Sequence, residues 1–147
     1  MCLAVLALQY LPDTPVLITA NRDEFHARPA EAVHAWPGQP KIFAGRDLKA
    51  GGTWMGVTEK GRYAIITNYR DPHNHIDDAP SRGALVEHYL RSTIRPSDYV
   101  SDIFPSSKQY NGFNLIVGDM QAAYYISNQA GEPHLLAPGV YGLSNHL

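Results

Sequence analysis

Short apolar runs broken by turn residues constrain this chain more than any other feature of its sequence. Residues 2–9 are apolar on both faces and predict a buried strand. Leu11-Pro12-Asp13-Thr14-Pro15 supplies turn chemistry, and residues 16–20 predict the returning strand of an antiparallel hairpin. The Pro- and His-rich stretch 25–40 predicts an irregular loop packed over the surface. Further strands are predicted at 42–47, 53–57 and 62–69, the last two joined by the polar turn Thr58-Glu59-Lys60-Gly61. Ala84, Leu85, Val86, Tyr89, Leu90 and Ile94 fit one face of a helix over 82–94, with Ser81 as its N-cap. Pro96 opens a second helix to about residue 104, and strands return at 113–118, 122–127, 134–137 and 140–144. Strands, loop, strands, helices, strands is an α+β order with antiparallel sheet, not alternating βαβ.

The 147 residues suffice for one domain spanning 1–147, and 44% hydrophobic with 18% charged residues is a globular balance. A net charge of -2 gives no basic surface for nucleic acid or anionic membrane. No apolar run reaches membrane-spanning length, and the N-terminal run lacks the basic start and small-residue cleavage site of a secretory leader. The single cysteine excludes an internal disulfide framework and fits a reducing compartment, so a cytoplasmic protein is expected.

That cysteine is Cys2. Removal of Met1 would give one residue both a thiol and a free α-amine, a nucleophile with its own base. A lone cysteine is also an ordinary small core residue, and only partners elsewhere in the chain decide between the two. The predicted hairpin brings Asn21-Arg22-Asp23-Glu24 beside Cys2. Asp23 there can orient and tune the amine, and Arg22 can hold a thiolate or a substrate carboxylate. Strand alternation puts Asn21 and Asp23 on one face and Arg22 on the other. Asn68 ends another buried run, where its amide can donate to an oxyanion or cap a turn. His73, His75, Asp77 and Asp78 offer metal-ligand chemistry without a zinc spacing, so neither metal nor cofactor is expected.

Met1-Cys2, Asn21-Arg22-Asp23-Glu24, Gly51-Gly52-Thr53-Trp54-Met55-Gly56, Thr67-Asn68-Tyr69-Arg70, Ser81-Arg82-Gly83 and Tyr141-Gly142-Leu143-Ser144-Asn145 together resemble the NRDE proteins, the transport-and-Golgi-organisation type two family. The resemblance implies an N-terminal-nucleophile hydrolase fold, a four-layer αββα sandwich, with distant similarity to choloylglycine hydrolases and penicillin V acylases. It implies Cys2 as nucleophile of a linear amide C–N bond, Asp23 orienting the α-amine, Asn68 donating to the oxyanion and Asn145 near both. Asn21 and Arg22 would bind substrate. The acylases place an arginine where this chain has Asn21, and they use a later arginine that this chain lacks. Family members are usually longer, so the chain resembles the N-terminal portion of a family domain, with apolar sheet surface that predicts homo-oligomerisation. The alternative is a non-catalytic carrier on the same scaffold for a lipid-like ligand or haem, with Cys2 as a soft iron ligand.

Overall fold

The computed structural model describes residues 2–71 and 73–146. The expected processing of Met1 concerns a residue outside this range, as do Pro72 of the polar loop and Leu147. The strands are β1 (Leu3–Leu11), β2 (Thr14–Asn21), β3 (Ala30–Trp36), β4 (Ile42–Asp47), β5 (Met55–Thr58) and β6 (Tyr63–Asn68). After helices α1 (Arg82–Arg91) and α2 (Pro96–Ile103) and a 3₁₀ turn (Phe104–Gln109) come β7 (Phe113–Gly118), β8 (Ala123–Ser127), β9 (His134–Leu135) and β10 (Gly139–Leu143).

The strands form two sheets, a small one in the order β10-β1-β2 and a large one in the order β3-β4-β5-β6-β7-β8-β9. Every pairing is antiparallel. Ala4, Leu6 and Leu8 of β1 face Tyr63, Ile65 and Ile116 of the large sheet, which closes one core between the sheets. The alternate residues of β6 and β7, among them Ala64, Ile66, Leu115 and Val117, face the other way. They meet Leu85, Val86, Tyr89 and Leu90 of α1 and Val100 of α2 in a second core. A strand buried on both faces carries a near-continuous apolar run, and β6 and β7 read that way apart from Thr67, Asn68 and Asn114. The result is an α+β antiparallel sandwich in which three of the four expected layers are present among the described residues.

Two elements depart from expectation. The stretch 25–40 contains β3, which pairs with β4 from Ala30↔Asp47 to Trp36↔Ile42 across a bulge between Glu31 and His34. The bulge breaks the period-two pattern that would have betrayed the strand. Trp36 anchors it, buried with its indole N–H donating to Ala44 O at 3.1 Å. Helix α1 stops at Arg91 rather than Ile94, since Ser92 is extended and its N–H closes the last turn on His88 O and Tyr89 O. Arg62 then ties that end down through bonds to Tyr89 O, Ser92 Oγ and Ile94 O. Ser81 stands at the N-cap position but makes no side-chain cap bond.

Candidate active site

The site lies where the ends of β1, β2 and β6 and the segment after β10 converge. β1 and β2 pair up to Leu3↔Asn21, so residue 2 and residues 22–24 leave the sheet side by side. The Cys2 thiol is half-buried, accepts a hydrogen bond from Asp23 N–H at 3.2 Å and contacts Asp23 O at 3.6 Å. On the other side β10 pairs with β1 from Ala4↔Leu143, which delivers Asn145 to Cys2. Cys2 N–H donates to Asn145 Oδ1 at 2.6 Å, and Asn145 Nδ2 donates to Asn68 O at 2.7 Å. Asn145 therefore bridges the nitrogen of Cys2 to the end of β6. Arg70 N–H to Asn145 O at 2.9 Å and Thr67 Oγ1 to Ser144 O at 2.6 Å hold the bridging segment in place.

These groups open onto a cavity of about 380 Å³ whose wall includes Cys2, Arg22, Asp23, Glu24, Asn68 and Arg82. The Asn68 side chain lies in this wall and makes no hydrogen bond among the described residues, so its N–H₂ can still donate. Thr53, Trp54, Ile66 and Thr67 also line the cavity. The Arg22 guanidinium lies 4.6 Å from the Trp54 ring centroid and 3.9 Å from Glu24. Arg28 forms the tightest ion pair among the described residues, 2.7 Å from Asp47. Burial opposes ionisation of Asp47, but the Arg28 guanidinium and the N–H groups of Lys49 and Ala50 outweigh it. The carboxyl is held below its usual range. Burial pushes the Cys2 thiol up, against the pull of Arg22.

Cys2, Asp23, Asn68 and Arg22 thus line one cavity, with Asn145 behind Cys2. Asn21 does not line it; its Oδ1 accepts Leu3 N–H at 3.1 Å and fastens β2 to β1. Strand alternation failed as a guide here because β2 ends at Asn21, and residues 22–24 follow an irregular path that turns all three toward the cavity. Sequence reasoning assigned no role to Arg28, Asp47 or Arg82, which packing carries in from the start of β3, the end of β4 and the first turn of α1. The Ser81-Arg82-Gly83 triplet was the one available signal. The loop residues His75 and Asp77 stand 3.8 Å apart and exposed.

The family model described as Transport and Golgi organisation 2 matches residues 1–147. The chain is 38% identical over 141 residues to the Transport and Golgi organization 2 homolog of Mus musculus, covering 90% of this chain and 51% of that protein. To the homolog of Bos taurus it is 40% identical over 141 residues, with the same coverage of 90% and 51%. It spans about half the length of the curated relatives it matches. Among solved structures, penicillin V acylase from Agrobacterium tumefaciens superposes with a TM-score of 0.46 at 12% identity, over 91% of this chain and 41% of that one. No helix among the described residues is long and apolar enough to cross a membrane. By its match over residues 1–147, the chain belongs to the Transport and Golgi organisation 2 family.

Proposed function

We propose that the chain carries the active site of an amidohydrolase in which Cys2, freed of Met1, attacks a linear amide C–N bond. The observation that supports this reading is the Asn145 bridge, which joins the nitrogen of Cys2 to Asn68 at a cavity that also exposes the thiol. With Met1 removed, that nitrogen is an amine whose N–H already has an acceptor in Asn145, leaving its lone pair for the thiol proton. The amine takes the proton and the thiolate adds to the carbonyl carbon, forming a C–S bond. The carbonyl oxygen gains the electron pair and turns to Asn68 Nδ2, a donor worth about 3–4 kcal/mol to the transition state. As the C–N bond breaks, the ammonium of Cys2 returns the proton to the departing amine. Water, deprotonated by the same amine, then adds to the thioester carbonyl; the C–S bond breaks, the acid leaves, and the ammonium returns its proton to the Cys2 sulfur. Asp23 keeps the amine oriented, and its backbone N–H steadies the sulfur.

A panel of N-acyl amides tests this on the Met1-free chain, with intact mass reporting an acyl thioester on Cys2. Cys2→Ala should abolish both turnover and adduct. Turnover by Cys2→Ala equal to the wild type would end the reading.

A lipid-like ligand has support of its own. An apolar groove of about 360 Å³ opens between the sheets, lined by Val16 and Ile18 of β2 and by Phe43, Met55 and Val57 of the large sheet. Haem fits the residues poorly, because the thiol lies in a cavity of mostly charged and amide-bearing side chains while the apolar groove lies elsewhere.

A further inference from the structure

Arg82 is a charged residue of the cavity that the reaction above leaves unused. It stands at the first position of α1, and its side chain runs into the cavity wall. Its Nη1 donates to Gly112 O at 2.8 Å, and the same carbonyl accepts Tyr69 N–H at 2.8 Å. The guanidinium is therefore pinned beside the residue that follows Asn68. A guanidinium carries five N–H donors, and this is the one hydrogen bond Arg82 makes among the described residues. The ion pairs of the cavity, Arg22 with Glu24 and Arg28 with Asp47, leave it aside. Burial disfavours its charge and Arg28 nearby adds to that cost, while Glu24 offsets part of it. A partly desolvated cation with most of its donors unmatched is costly, and an anion from outside would reduce that cost.

We propose that Arg82 is a substrate-binding residue that recognises a carboxylate carried by the amide substrate close to its scissile bond. The planar fork of the guanidinium suits the two oxygens of a carboxylate. Anchorage through Gly112 to Tyr69 sets the fork near the amide of Asn68, so carboxylate and reacting carbonyl must be separated by few atoms. Substrates are then acyl groups joined through nitrogen to a small amino acid. Asp47 is held by Arg28 and Glu24 is shared with Arg22, so neither carboxylate forms an ion pair with Arg82.

This inference rests on the amidohydrolase reading for the substrate's reacting bond, but binding tests it without turnover. Cys2 of the intact chain is alkylated with iodoacetate, which is anionic, and with iodoacetamide, which is neutral. Arg82→Gln should lower the iodoacetate-to-iodoacetamide rate ratio by about tenfold, and Arg82→Lys by less. N-acetylglycine should protect Cys2 from iodoacetamide, whereas its methyl ester should not. That comparison uses the wild-type chain and survives failure of a variant to fold. An unchanged ratio in folded Arg82→Gln, or equal protection by acid and ester, overturns the assignment. Charge-selective protection without hydrolysis of any amide would sink the enzyme reading and leave the carboxylate site standing. Hydrolysis of acid and ester at equal rates would do the reverse.

Discussion

Cys2 is gripped on both of its chemical groups, the sulfur by Asp23 and the nitrogen by Asn145. Two predictions follow at this scale. Asn68→Ala should lower kcat by roughly 10²–10³-fold with little change in KM, the signature of a donor that acts in the transition state. Steady-state kinetics on the Met1-free chain measures both. While Met1 is retained, alkylation of Cys2 should rise with pH through a midpoint above the ordinary thiol value of about 8.5, because burial favours the neutral thiol. A midpoint below that value would show that the sulfur is better solvated or more strongly paired than its half-buried position implies. The neighbours of Cys2 were legible in the sequence where a hairpin brings them, since Asn21-Arg22-Asp23-Glu24 follows a strand whose partner begins at residue 3. Arg82 was not, because no local pattern says which wall an arginine at a helix start will join.

At the scale of elements, the cavity depends on how closely α1 approaches the segment before β5. A Cβ on Gly52 would lie 2.6 Å from Gly83 C and 2.7 Å from Gly83 O, both backbone atoms. Gly52→Ala should therefore push the start of α1 outward and cost about 1–3 kcal/mol, measurable by urea unfolding. The same variant should weaken any carboxylate preference, because Arg82 moves with the helix. Leu90→Ala should cost about 2–5 kcal/mol, since Leu90 is fully buried between α1 and the large sheet and packs over Gly56. The paired glycines and the apolar face of α1 were both readable beforehand. The strand β3 was not: Glu31 and His34 are polar, and the apolar residues around them are too irregularly spaced to signal a sheet edge. Pairing with β4 and the indole of Trp36 decide its conformation.

For the molecule as a whole, three buried phenols set an alkaline limit. Burial raises Tyr63 to about 12 and lifts Tyr89 and Tyr99 further still. Tyr89 and Tyr99 donate to Gly118 O and Leu85 O and must stay protonated to do so. The unfolded chain loses these protons near pH 10. Above that the folded state binds more protons, so stability is full below about pH 10 and falls as pH rises. Tyrosinate absorbance from these residues should appear together with loss of circular dichroism, and earlier ionisation in a still-folded chain would contradict their burial. Leu3, Leu17 and Val140 leave the outer face of the small sheet apolar and exposed among the described residues. The order of strands in that sheet has a temporal meaning. Its centre is β1, and β10, which comes after every other described strand in chain order, closes against it. A polypeptide made in chain order therefore holds Cys2 long before it holds Asn145, the acceptor of the Cys2 N–H. A chain cut short before residue 145 would lack both that acceptor and the tie to Asn68.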